Sequence, residues 1–149
     1  MLLTKRTFLI TGGAALLTAC MGPAASSLNI SAQGAAGMNP GADGQDRPVT
    51  LTVIQMTGSG AFDSADYVSL QDPQAALGSE YLRADQIVLA PGGTATKVIP
   101  VEPTAGVVGV VGGFIDPAGK QVRTRIAAPK GASGVIISVG PGGIALTQA

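Results

Sequence analysis

Apolar and polar positions alternate along most of this chain, and the alternation is broken at regular intervals by glycine and proline. From Ser27 to Gln33, Leu28 and Ile30 share one side and Asn29 and Ser31 the other, which predicts a first strand. Val49 to Met56 is rich in β-branched residues and predicts a second. Val49, Leu51 and Val53 lie on one of its faces, while Ile54 and Met56 imply that the other is covered too. Ile87 to Leu89, the turn Ala90-Pro91-Gly92-Gly93 and Thr94 to Val101 read as a hairpin. Pro100, which has no N–H to give a ladder, places its second strand at an edge or marks a bulge. Val107 to Ile115 is almost wholly apolar and predicts a central strand buried on both faces, with Gly109, Gly112 and Gly113 admitting a close neighbour. Gln121 to Ala128 alternates, with Val122, Thr124 and Ile126 inward and Gln121, Arg123 and Arg125 outward. Val135 to Val139 is a last good strand, and Ile144 to Leu146 a short closing one.

One stretch follows another period. Phe62, Ala65, Asp66, Ser69 and Leu70 are spaced for a helix, and Asp72-Pro73 suits the start of a second. A helical insertion is therefore expected over about 62–83. It holds Phe62, Tyr67 and Tyr81, which are expected to cap the edge of the sheet core. About seven short strands with one such insertion predict an all-β, two-sheet β-sandwich. The stretch Gly34 to Pro48 contains four glycines and two prolines and propagates neither period. A loop of that length in a compact domain is usually functional.

The amino terminus reads differently. Lys5 and Arg6 precede an apolar run from Phe8 to Leu17, shorter than the about 20 residues that a membrane-spanning helix needs. Residues 1–19 are read as a signal peptide. Leu17-Thr18-Ala19-Cys20 has the pattern of a lipobox, and Cys20 is the single cysteine of the chain. Cleavage before Cys20 would leave a lipidated cysteine, a tether over 20–27 and a domain over 28–149. Met21 rather than Asp after that cysteine favours the outer membrane under the sorting rule for such lipoproteins.

Composition removes several chemistries. There is no histidine, so no His base, Ser-His pair or His-ligated metal site can exist. From Cys20 onward, seven basic against nine acidic side chains give a net charge of −2, which argues against nucleic acid. The glycine-rich stretches 106–109 and 140–143 lack the Lys-Ser/Thr ending of a phosphate loop. Asp43-Gly44-Gln45-Asp46 lacks the spacing of an EF-hand loop and reads as a turn. Asp63 and Asp66 are a carboxylate pair at a helix start, where the amide ends favour acids without any catalysis. No enzyme, cofactor, metal or small-molecule substrate is therefore expected. Arg123 and Arg125, on an outward face, and the 34–48 loop remain as surfaces that could dock a partner.

Taken in order, the lipobox, Leu28-Asn29-Ile30, Asn39-Pro40, Arg47-Pro48, Val49 to Met56, Ala61 to Tyr67, Ala76-Leu77-Gly78, Val88 to Gly92 and Val107 to Phe114 resemble the TssJ (SciN) family. These are lipoproteins of the type VI secretion membrane complex. The resemblance implies a transthyretin-like sandwich with an added helical element. It also implies a structural role: an outer-membrane lipoprotein, facing the periplasm, that binds the periplasmic domain of the inner-membrane protein TssM. In that family the loop between the first two strands makes much of the contact. The matching loop here is about 35–47, and Met38, Asn39, Pro40, Asp43 and Gln45 are its candidate contact residues, with Cys20 the lipidation site. Gly41 stands where relatives often carry an acid, which shifts weight to Met38 and backbone groups. The competing reading is a transthyretin-like periplasmic lipoprotein that binds a glycan or another envelope protein.

Overall fold

The structure is a computed structural model that describes residues 25–149; the expected signal peptide and Cys20 lie outside the described residues. Eight strands form two four-stranded sheets. In chain order they are β1 (Ser27–Gly34), β2 (Val49–Met56), β3 (Tyr81–Leu89), β4 (Thr94–Pro100), β5 (Val107–Gly112), β6 (Arg123–Ala127), β7 (Ala132–Gly140) and β8 (Gly143–Gln148). The first sheet has the order β4-β1-β7-β8 and the second β3-β2-β5-β6. All pairings are antiparallel except β1 with β7. Strand already occupies Ser27, the last residue of the expected tether.

The main core lies between the sheets. Leu28 and Ile30 of β1 and Val135, Ile137 and Val139 of β7 face Val49, Leu51 and Val53 of β2 and Val108 and Val110 of β5, all of them buried. A second, smaller core lies outside the second sheet. There Ile54, Met56 and Val111 pack against Phe62, Leu70 and Leu77. The double-faced pattern of β2 is thereby accounted for. The buried Gln55 shares the inner face of β2. Its amide donates to the Pro100 carbonyl at 2.8 Å and accepts from the Glu102 N–H at 2.7 Å, joining the two sheets.

The segment that covers the second sheet comprises α1 (Gly60–Ser64), α2 (Pro73–Leu77) and single 3-10 turns at Ser69–Gln71 and Gly78–Glu80. Asp72 accepts from the Ala75 N–H and Pro73 opens α2, as the sequence predicts. Three expectations need correction. The segment ends at Glu80, not Arg83, because Gly78 turns the chain with a positive φ of 56° and Tyr81 and Arg83 join the β2 ladder. The aromatics pack on a sheet face rather than at its edge: Phe62 lies so close over β5 that a Cβ on Gly109 would stand 2.8 Å from its ring. Arg125 is exposed, as expected, but Arg123 is only half-exposed and turned onto the helical segment. One Arg123 Nη donates to the Phe62 carbonyl at 2.8 Å and to the Ala65 carbonyl, and Arg125 pairs with Asp63 at 2.8 Å, so β6 holds α1 from the side.

Two further boundaries differ. The expected hairpin of β3 and β4 is a crossover, since the two strands belong to different sheets and Ala90–Gly93 carries the chain between them. Gly93 N–H closes that turn on the Ala90 carbonyl, and the Gly93 carbonyl is taken by Gly34 rather than by a hairpin partner. The central strand β5 does lie inside its sheet, but it stops at Gly112 rather than Ile115. The Tyr67 hydroxyl ends it, accepting from the Phe114 N–H at 2.8 Å and lying 3.0 Å and 3.1 Å from the carbonyls of Gly112 and Phe114. Pro100 stands on the edge strand β4, as expected.

Candidate functional site

The sandwich has two unlike ends. At one, the chain enters β1: the Ser26 carbonyl accepts from Val101, Ser27 N–H donates to Gly131, and Gly106 N–H donates to Met56. At the other, β1 runs out at Gly34 and delivers the 35–48 loop. Seven residue steps of strand separate these ends by about 23 Å. The loop therefore stands on the end of the domain opposite the chain's entry.

The loop is built, not slack. Ala35 N–H donates to the Val139 carbonyl at its start. Arg47 N–H donates to Asn39, Gly41 N–H to Gln45, and Pro40 bridges Asp46, so residues 39–47 form a small hairpin of their own. Asp43 accepts from the Gln45 N–H at 3.1 Å, and Gly44 takes a φ of 77° that a side chain would strain. The Asp46 carboxylate fixes the base, accepting from the backbone N–H groups of Gly37 at 2.6 Å and Asn39 at 2.8 Å. The Asn39 N–H, and after it those of Gly37, Met38 and Arg47, hold its carboxyl below the usual carboxylate range against the opposing effect of burial. That order is kept above the unfolded carboxylate value of 3.8 and lost as pH falls through the lower folded one. Asn39 reaches both ways: its side-chain N–H donates to Pro48 at 3.0 Å, and its oxygen accepts from Ile115 N–H at 2.9 Å. The 113–118 turn is thus joined to the loop and shares its end of the sandwich.

These contacts divide the five candidate residues. Met38 is fully buried in the main core and Asn39 is 2% exposed, so both side chains hold the loop rather than face outward. Pro40, Asp43 and Gln45 are exposed. Asp43 is paired with Arg47 at 2.7 Å, an exposed ion pair of small energetic weight. The sequence reading missed two residues. Asp46 was legible only as one of several turn oxygens. Ile115, 57% exposed beside the loop, was read as the end of a buried strand. Cys20 lies outside the described residues.

The carboxylates at the helical segment are also engaged. Asp63 pairs with Arg125, and Asp66 accepts from Ser69 N–H at 2.7 Å, which keeps its carboxyl below the ordinary range. Among the described residues no three His, Cys, Asp or Glu side chains could gather a metal ion. The arrangement is a hydrogen-bonded surface of turns.

Residues 26–141 match the model of the T6SS-SciN family, described as type VI secretion lipoprotein, VasD, EvfM, TssJ. The chain belongs to this family of type VI secretion lipoproteins. The family is structural, and its members are not enzymes. The fold agrees. The T6SS lipoprotein TssJ1 from Pseudomonas aeruginosa superposes with a TM-score of 0.77 at 24% identity, over 84% of this chain and 97% of that one. Serratia marcescens Lip, a membrane-bound component of the type VI secretion system, gives 0.76 at 22% identity, over 81% and 96%. A chain in a structure described as the T6SS protein TssM C-terminal domain (869-1107) from EAEC gives 0.66 at 23% identity, over 83% and 98%. A search of curated proteins found no match.

Proposed function

We propose that this type VI secretion lipoprotein is an outer-membrane anchor, held by lipid on Cys20, whose 35–47 loop binds the periplasmic domain of a TssM-like inner-membrane protein. The observation that carries the proposal is the opposition of the two ends. The chain enters at Ser27, and the loop that Asn39 and Asp46 fix projects from the far end. A domain tethered at one end presents the other to whatever spans the periplasm. Stiffness suits a part under load, because a preformed loop has less conformational freedom to lose on binding. Lipid at Cys20 suits it equally: one acyl chain binds a membrane marginally and two or more hold stably, at about 0.8 kcal/mol per buried CH₂. The membrane-bound Serratia protein and the TssM-related structure support the reading by family likeness.

The test is capture of the partner's periplasmic domain by the membrane-borne chain. Replacing Pro40, Asp43 and Gln45 together is expected to abolish capture while the chain stays folded and membrane-bound. Cys20→Ser is expected to release the folded chain from the outer-membrane fraction. Undiminished capture by the triple variant, or a Cys20→Ser chain still in the outer membrane, would refute the corresponding half.

A further inference from the structure

The 35–48 loop has small and polar groups to offer a partner but no large apolar one. Its exposed residues are alanines, glycines, prolines, Asp43, Gln45 and Arg47, and its one large apolar side chain, Met38, is buried in the main core. Asp43 and Arg47 already pair with each other at 2.7 Å. Interfaces draw most of their affinity from a few large side chains that become buried near the centre, and the polar contacts around them exclude water. Such a side chain stands beside the loop. Ile115 is 57% exposed, and its N–H donates to the buried Asn39 oxygen, 76 positions away in the chain, at 2.9 Å. Its neighbours are held too. Phe114 is buried, and its N–H donates to the Tyr67 hydroxyl at 2.8 Å. The Asp116 carboxylate accepts from the Ala118 N–H at 3.1 Å and closes the next turn. An isoleucine is thus left in solvent on a backbone bonded on both sides.

We infer that Ile115 is the apolar knob of the partner-binding end, and that it enters an apolar pocket on the same periplasmic domain that the 35–47 loop engages. The inference rests on the function proposed above and names the side chain that supplies the loop's missing apolar contact. The occupant follows from continuity. Asn39 joins the 113–118 turn to the loop, next in the chain to the exposed Pro40. A standard interface covers about 800 Å² on each partner, far more than Pro40, Asp43 and Gln45 supply, so a protein seated on them extends over Ile115. An anionic membrane surface fits this end poorly. The end lies opposite the chain's entry, and it carries Asp43, Asp46 and Asp116 against Arg47 and Lys120. Covering the exposed part of Ile115 is worth about tenfold in affinity. Because the backbone around it is already hydrogen-bonded, little freedom is lost when it docks.

The experiment titrates the partner's periplasmic domain onto the full-length chain in membranes. Ile115→Ser is expected to weaken capture about tenfold. Ile115→Met, which keeps an apolar side chain of similar size, is expected to retain most of it. Val98→Ser is the control and is expected to change nothing: Val98 is 66% exposed on β4 but pairs with Asn29, near the chain's entry. A loss for Ile115→Ser no larger than for Val98→Ser, or an Ile115→Met chain as weak as Ile115→Ser, would overturn the inference. A photo-activated cross-linking residue at position 115 gives a second measurement, which decides even where Ile115→Ser lowers the melting temperature. It is expected to join the chain to the partner's domain. A cross-link to a second copy or to lipid, with none to the partner, would overturn the inference. The triple variant at Pro40, Asp43 and Gln45 separates the two readings. Capture lost by the triple variant but kept by Ile115→Ser overturns this inference alone. No capture by the unaltered chain overturns the proposed function and this inference with it.

Discussion

The outer surfaces of the two sheets have the same backbone and opposite fates. On the second sheet, the outward positions of β2 and β5 include Ile54, Met56, Val107 and Val111 beside Thr50 and Thr52, and Gly109 leaves a hollow among them. A surface of that kind must be covered, and the segment from Gly60 to Glu80 covers it with Phe62, Leu70 and Leu77. On the first sheet, the outward positions are mostly Ser, Thr, Asn, Ala and Gly, which water solvates at little cost. One sheet is therefore built as an inner wall with cores on both sides and the other as an outer wall. The attachment of the helical segment is also specific. The aromatic Phe62 supplies apolar area. Arg123, 6.0 Å from its ring centroid, ties the end of α1 to β6 through two carbonyls that would otherwise lack partners.

Substitutions at three positions test this contrast. Phe62→Ala opens a cavity in the smaller core and is expected to cost about 3–5 kcal/mol in chemical denaturation. It should also raise amide exchange across 60–80 more than in β1 or β7. A loss under about 0.5 kcal/mol, within the range of ordinary surface changes, would mean that the helical segment is not a packed part of the domain. Arg123→Ala removes charge-assisted bonds to the Phe62 and Ala65 carbonyls and is expected to cost about 1.5–3 kcal/mol, with exchange increased at α1 before the strands. If Arg123→Lys keeps full stability, the planar fork is not what the site uses. Asn29→Thr on the bare face is expected to change stability by no more than about 0.5 kcal/mol, since it keeps a polar, strand-compatible side chain in the open. A loss as large as that of Arg123→Ala would show that the bare face is covered within the folded chain itself.

Much of the architecture was legible from period alone. The first two strands, the edge position of Pro100, the burial of β5 on both faces and the Asp72-Pro73 helix start follow from local rules, because each depends on residues a few positions apart. The loop was legible by its composition, and the lipobox by its pattern. What local rules could not reach were pairings between distant residues. Whether Leu89 and Thr94 continue one sheet or open another is settled by which strand meets Gly93, and that strand is β1. Arg123 and Arg125 alternate as solvated residues do. Only the fold brings Asp63 and the Phe62 and Ala65 carbonyls to them across some sixty residues of chain. Met38 and Asn39, in a glycine-rich loop, carried no sign of burial. Met38 packs into the main core, and Asn39 is held by hydrogen bonds to Pro48 and Ile115, both distant from it in the chain.

By itself, then, the sequence determined the class of fold, the absence of any histidine chemistry, and which stretches alternate, coil or turn. These are set by backbone geometry and by side chains acting within a few residues. The tertiary structure decided which sheet each strand joins, which outer face is covered, and which loop residues face outward. Those depend on surfaces that exist only once segments far apart in the chain have packed, where burial and the pairing of buried polar groups choose among locally equivalent arrangements.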